Sequence, residues 1–465
     1  MTVISCAQSR RRRSRDASFS FWSSLKGRLL LFSEKTTMLL AELTGNEQRY
    51  RLLESSREYA QDKLVAHGEQ ENVARRHALF YVELGERLER AWDTTPDRQW
   101  LPQAQAESEN WRAALEFSLA KQRDVILGQR LAALYNLVWR TFTLTEGRHW
   151  VRAALELVNE RTAPALAARL EHAEAHGAQQ FNECNVTLAA ADRALMQYRE
   201  LGDVLGAAQA RSLSGGALLF LGRPLEAEPL LREALETART LGDRRLAATV
   251  LAKLGQTRSA VGDFGEARAY FIEALAFAKL FGADFLAASV AACLAECEFK
   301  VGDSQATLQL MADVLATYRG LNSAAPGLAT ELINMAGYLV RLGRYDEARV
   351  HVIEALELAR GLRMVVLVAN SLEHLVVVAL LRSRVEGRRT SLEYAGAARL
   401  IGFAHTHRNL AGIESSLGQA YDRSGARARV TLAWLALVPI NSAIRCADRG
   451  AASVPDGNLI DVLLV

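Results

Sequence analysis

The sequence predicts an all-α protein, a solenoid of stacked helical hairpins with one small β-hairpin near its N-terminus. Three observations lead there. First, Leu115, Leu155, Leu195, Leu235, Leu275 and Leu315 recur every forty residues, with Leu356 one residue late. Ala114, Ala154, Ala194, Ala234, Ala274, Val314 and Ala355 precede them. Such a period marks a supersecondary unit that cannot bury its apolar face alone and stacks on its neighbours. Second, glycine-centred breaks recur at two phases of the period. Third, Ala and Leu dominate the 465 residues, with only 8 prolines, a composition that favours helix.

In chain order, residues 1–33 carry the one dense charge cluster, Arg10, Arg11, Arg12, Arg13 and Arg15, followed by Phe19, Phe21 and Trp22. Short basic runs of this kind are typical of disordered tails, and a basic, disordered segment is expected here. Weak, salt-sensitive adhesion to phosphates is the functional alternative. Asp16, Ser18, Ser20, Ser23, Ser24 and Lys26 interrupt the apolar core that a secretory signal needs. No apolar run reaches the roughly 18 residues that span a bilayer. The expectation is a cytoplasmic protein with no membrane partner.

Residues 34–70 read as a β-hairpin plus helix. Met38–Leu43 and Arg49–Leu53 flank the turn Thr44-Gly45-Asn46-Glu47, and a helix follows from Glu54 to His67. Residues 71–125 are expected to form a helical linker domain, and 126–410 the repeat array. In the best repeat, helix A runs over Arg245–Val261, the turn is Val261-Gly262-Asp263, and helix B runs from Phe264 to Phe281. The same turn recurs as Leu221-Gly222-Arg223, Val301-Gly302-Asp303 and Leu342-Gly343-Arg344. The other break recurs as Leu201-Gly202-Asp203, Leu241-Gly242-Asp243 and Phe281-Gly282-Ala283. Glycine ends one helix in the left-handed conformation, and the following Asp can cap the next. After Arg423 the pattern fades, and 411–465 is expected to be a poorly ordered tail.

Leu254, Gly255, Ala267, Phe271 and Ala274 place small side chains where two helices cross and a bulky one between them. Gly215, Ala227, Leu231 and Ala234 repeat the pattern, as do Ala336, Ala348, Val352 and Ala355. This spacing resembles the tetratricopeptide repeat, which implies a right-handed solenoid with a concave groove lined by the A helices. Thr307 and Val314 depart from the pattern, and Lys279 stands where the repeat usually has proline. Upstream, the words Arg49-Tyr50-Arg51-Leu52-Leu53-Glu54, Ala74-Arg75-Arg76-His77-Ala78 and Asn110-Trp111-Arg112-Ala113-Ala114-Leu115 resemble a group of bacterial transcriptional regulators. Those regulators join a signal-transduction ATPase and a winged helix to a C-terminal tetratricopeptide sensor. The resemblance makes the β-hairpin a winged-helix remnant. No G-x-x-x-x-G-K-[ST] loop occurs, so the nucleotide-binding domain is expected to be lacking and no cofactor is implied.

Few residues suggest catalysis. His172 and His176 lie one helical turn apart, but Ala173 stands where H-E-x-x-H needs its Glu, and no third ligand is evident, so no metal is expected. Cys293 and Cys297 read as small apolar fillers of a packed helix. No nucleophile elbow, paired acids or Cys/His constellation appears, so the chain is not expected to be an enzyme. Recognition is what remains, and the resemblance maps the groove onto three groups of residues. The first is Gln129, Asn136, Trp139 and Arg140; the second is His172, His176, Gln179 and Gln180; the third is Gln209, Ser212, Gln256, Glu296, Lys300 and Arg341. Trp139 either stacks on a ligand beside Arg140 or fills a gap between repeats.

The implied function is a regulatory sensor module that takes a small-molecule effector or a protein segment in its groove. A regulator's ATPase or DNA-binding part is a second partner, and direct DNA binding is not expected at a net charge of +3. The alternatives are a free-standing peptide-binding scaffold and a non-functional fragment of a truncated regulator.

Overall fold

In the computed structural model the described residues are 3–5, 39–44, 47–52, 54–92, 94–134, 144–181, 183–321, 325–362 and 364–385. The arginine cluster, Asn136, Trp139, Arg140 and the expected tail at 411–465 lie outside them.

The strands β1 (Val3–Ser5), β2 (Leu39–Thr44) and β3 (Glu47–Leu52) form an antiparallel sheet in the order β1-β3-β2. Thr44 pairs with Glu47 and Leu39 with Leu52, so the hairpin is tighter than the sequence suggested. Val3 pairs with Arg51, which corrects the expectation of disorder over 1–33 at that one strand.

Helices follow. They are α1 (Glu54–Ala66), α2 (Gln70–Ala91), α3 (Asp97–Gln105) and α4 (Ser108–Leu115), which runs on into a short π-helical stretch at Glu116–Ala120. Next come α5 (Val125–Ala132), α6 (Leu144–Glu156), α7 (Pro164–Gln180), α8 (Cys184–Leu201), α9 (Val204–Phe220) and α10 (Pro224–Leu241). The rest are α11 (Arg244–Val261), α12 (Phe264–Leu280), α13 (Asp284–Val301), α14 (Ser304–Gly320), α15 (Ala325–Arg341), α16 (Tyr345–Gly361) and α17 (Val365–Val385). Two compact units result. One comprises 1–257 with 280–283, the other 258–279 with 284–465.

The breaks between helices form as their residues dictate. Gly202 and Gly262 hold φ of 69° and 90°, a region closed to most side chains, and each ends a helix. The amide of Asp203 then donates to the Tyr198 carbonyl at 2.9 Å, closing the left-handed cap. The Asp203 side chain accepts from the Gly206 amide at 2.8 Å, and Asp243, Asp263 and Asp303 accept likewise from Leu246, Glu266 and Ala306.

Small residues let the helices approach. In the first unit a Cβ on Gly215 would stand 2.7 Å from Leu231, a side chain buried between Ala227 and Ala234. In the second unit Ala267, Phe271 and Ala274 on α12 are buried in the same pattern, and Leu332, Ala355 and Ala359 join another core cluster.

The helices over 70–132 pack around Trp100 and Trp111, whose indole N–H groups donate to the carbonyls of Leu88 at 2.7 Å and Tyr81 at 3.3 Å. A long-range tie belongs to the same unit. The Asp97 carboxylate accepts from Arg245 at 3.1 Å, the Arg245 guanidinium lies 4.0 Å over the Trp92 ring, and the Asp97 amide donates to the Gly282 carbonyl at 3.0 Å. Both charged side chains are buried, 2% and 9% exposed.

Candidate functional site

Each unit presents polar side chains on the first helices of its hairpins, and the two faces differ. In the first unit, α7, α9 and α11 contribute. Lys253 on α11 donates to both oxygens of Ser212 on α9, to the carbonyl at 2.7 Å and the hydroxyl at 3.0 Å. Gly216, one turn along from Ser212, is where two long side chains meet. A Cβ there would stand 2.9 Å from Gln179 Nε2 and 3.3 Å from both Lys253 Cε and Nζ.

Lys253 is part-buried, and burial pushes its ammonium down to about 8, with no carboxylate acting against that loss. His172 is buried with its ring edge-on to Tyr198 at 6.2 Å. Burial, then the charges of Arg169 and Lys253, lower it to about 4, so it is neutral at pH 7.

Beside this face lies an open cleft of about 500 Å³ lined by Thr145, Arg148, His149, Arg152, Ala153, Glu156 and Phe181. Its arginines are already paired. Arg148 donates to Glu183 at 2.7 Å while lying 4.8 Å over the Phe181 ring, and Arg152 bonds Glu174 at 3.1 Å. The Arg148 bond holds the Glu183 carboxyl below its ordinary range.

The second unit places Glu296, Phe299 and Lys300 of α13 beside Glu331, Tyr338 and Arg341 of α15. Lys300 pairs with Glu296 at 2.6 Å. Arg341 lies 4.6 Å over the Phe299 ring, which tilts against Tyr338 at 4.9 Å. Glu331 accepts from Asn334 at 3.0 Å. Burial raises its carboxyl to about 7, against the pull of that bond and with help from Glu296. Burial also raises the Tyr338 hydroxyl far above its ordinary value.

Of the residues mapped from sequence, Ser212 and Gln179 stand on the first face, and Glu296, Lys300 and Arg341 gather on the second. His176, Gln209 and Gln256 are part-buried and Gln180 is exposed. Gln129 must be corrected. It is fully buried, donates to the Ala154 carbonyl at 3.2 Å and accepts from Thr162 at 3.0 Å, so it ties a helix to a loop and offers nothing to a ligand. His172 is walled in beside Tyr198 and is not exposed on the first face. Among the described residues no three His, Cys, Asp or Glu side chains stand as a metal site.

The sequence mapping missed Lys253, Gly216, Glu331 and Tyr338. Lys253 had a signal, being the one charge in the run from Leu246 to Gln256. A lone cation in an otherwise apolar helical run is the signal that the sequence carries at this position.

Comparison with known proteins agrees with these hairpins. The Tetratricopeptide repeat family matches residues 206–279 and 328–362. Two putative HTH-type transcriptional regulators, from Mycobacterium bovis and Mycobacterium tuberculosis, are each 27% identical over 229 residues, 48% of this chain and 25% of theirs. The chain thus spans a quarter of the length of the curated relatives it matches. Among solved structures, a Rap protein complexed with Competence and Sporulation Factor superposes with a TM-score of 0.52 at 11% identity, covering 75% of this chain and 96% of that one. The fold is that of tetratricopeptide-like helical hairpins, and in sequence the chain is similar to part of the mycobacterial regulators.

Proposed function

We propose that the chain is a non-enzymatic regulatory sensor module that takes a small effector or a protein segment against the face formed by α7, α9 and α11. One observation carries the reading. Gln179 and Lys253, from the two outer helices, reach over a glycine of the middle one, so three successive hairpins build one polar surface. Core packing asks for nothing of the kind, because small apolar residues suffice between these helices. Stacked hairpins generate such surfaces as binding sites.

The likeness to the mycobacterial regulators supports a place in transcriptional control. The Rap protein of the same fold was solved with Competence and Sporulation Factor bound, a precedent for ligand capture on such hairpins.

The test is affinity capture from bacterial lysate with wild-type protein and Gly216→Phe, whose ring fills the space between Gln179 and Lys253. Partners and small molecules retained by the wild type and lost by the variant, with helicity and melting unchanged, support the reading. Equal retention by both proteins removes this face from the function.

A further inference from the structure

We propose that the corner between α2 and α3 is a latch on α11 that holds the first unit's polar face closed, and that a ligand enters the face as the latch opens. Its role as a gate rests on that face being the binding surface and adds how access to it is controlled. Three observations carry it.

The corner ties together parts of the chain that stacking alone keeps apart. Asp97 and Arg245 lie 148 residues apart, with α4 to α10 between them, whereas each hairpin of a solenoid contacts only its neighbours. The Asp97 carboxylate accepts from Arg245, the Asp97 amide donates to the Gly282 carbonyl, and the Trp92 ring lies under the guanidinium. A Cβ on Gly282 would stand 2.9 Å from the Pro96 Cβ, so the glycine at that turn is what lets the corner seat. The run of hairpins in the first unit is thereby fastened at both ends.

The fastening differs in kind from the helix crossings. Ala227, Leu231 and Ala234 are buried apolar contacts that gain nothing from water. The latch is an ion pair buried with both its members, whose attraction is largely offset by the loss of their hydration. Opening returns both charges to water together, a compensation that an apolar crossing lacks.

Helix α11 joins the latch to the face. Arg245 stands in its first turn, and Lys253 lies about 12 Å further along the same helix. Lys253 donates to the carbonyl and the hydroxyl of Ser212, which staples α11 to α9. Gln179 and Lys253 come within 2.9 and 3.3 Å of the point a Cβ of residue 216 would occupy, so both rest directly on the glycine. A ligand reaches α9 there only by parting them. Parting them alters the rotation between successive hairpins, and the latch fixes that same rotation across the run. Latch and ligand therefore oppose each other, and by linkage each weakens the other.

The latch is tested on the full chain by reductive methylation with formaldehyde and dimethylamine-borane, the rate at each lysine being read by peptide mass spectrometry. Wild type is compared with Asp97→Asn, Arg245→Gln and the double variant. The exposed Lys63 and Lys121 serve as references. Lys253 should react at least about tenfold faster in each single variant, within the usual range of coupling between sites. The double variant should add little to either, because one event is being released. Lys63 and Lys121 should keep their rates.

Exchange of the Trp100 and Trp111 indole N–H groups, followed by NMR, separates opening from unfolding. Both are held by carbonyls inside the helical module, Leu88 for one and Tyr81 for the other. They should stay protected in the variants. An unchanged Lys253 rate overturns the latch, and so does indole protection lost in step with Lys253, since the tie then only holds the fold. If Lys253 responds as expected while Gly216→Phe leaves capture from lysate unchanged, the latch stands as a coupling of α11 to the corner and the binding reading of the face alone fails.

Discussion

The two polar faces are built on the same hairpin frame and settle their charges in opposite ways. On the first, a lysine stands over a glycine with only serine oxygens for company. On the second, Lys300 pairs with Glu296 and Arg341 stacks on Phe299, leaving Glu331 as the group that burial holds near neutral. Backbone and small-residue crossings are common to both, so the frame fixes where a side chain stands and not what it does there. The first unit does contain a buried cation with a carboxylate partner, Arg245 beside Asp97, and that one is spent on holding the fold.

The largest effects should come from breaking what each unit uses for stability. Asp97→Ala leaves Arg245 buried without its carboxylate and should cost about 3–5 kcal/mol. Phe271→Ala in the second unit empties a site that is 1% exposed and should cost a similar 3–5 kcal/mol. Urea unfolding of each variant checks both. A loss below about 1 kcal/mol for Asp97→Ala would show that the Arg245 tie is peripheral to the first unit.

Adjacent glycines separate frame from face on a finer scale. A Cβ at Gly215 meets Leu231 at 2.7 Å, a side chain locked in the core, whereas at Gly216 it meets the flexible ends of Gln179 and Lys253. Either change to Ala gains roughly 1 kcal/mol in helix propensity. Gly215→Ala should nonetheless lose stability on balance, by on the order of 1 kcal/mol, because overpacking outweighs that gain. Gly216→Ala should keep the gain and disturb only the polar surface. Thermal melts of the pair decide, and equal shifts would mean that Gly216 is as structural as its neighbour.

How much of this was legible in the sequence follows the same line between frame and face. Helix ends were readable because their causes are local. Gly262 needs its positive φ and Asp263 its cap within a few residues, so the expected span Phe264–Phe281 differs from the observed Phe264–Leu280 by one residue. The crossings at Ala227, Leu231 and Ala234 were readable because a period repeats their demand.

Gln129 was misassigned because its partners, Ala154 and Thr162, lie 25 and 33 residues away, and a register position does not reveal a satisfied amide. Lys253 was passed over because the register pointed to Gln256. What singles Lys253 out is the absence of a counter-ion, a property of three helices together. Glu331 is similar, since its raised carboxyl comes from burial and from Glu296 on another helix.

The smallest expected effect is the sharpest test of the contrast, because the two faces should respond to pH with opposite sign. The Lys253 ammonium titrates at about 8 in the folded chain against an ordinary 10.5. Between those values the unfolded chain binds more protons, so stability rises with pH across that window, and the full cost of the buried cation is felt below about 8. Glu331 titrates at about 7 against an ordinary 4.5. Between those values the folded chain binds more protons, so stability falls as pH rises, and the full cost is felt above about 7.

Lys253→Met should therefore gain stability relative to wild type, on the order of 1 kcal/mol, at pH 6 and progressively less at pH 9 and above. Glu331→Gln should gain a similar amount at pH 8 and progressively less towards pH 5. The quantity to follow is the pH trend of each stability difference, measured by urea unfolding in matched buffers, because the loss of the Ser212 or Asn334 bonds adds an offset that pH does not change. A flat trend for Lys253→Met would mean that burial does not depress the ammonium, and the contrast in sign between the two faces would fall.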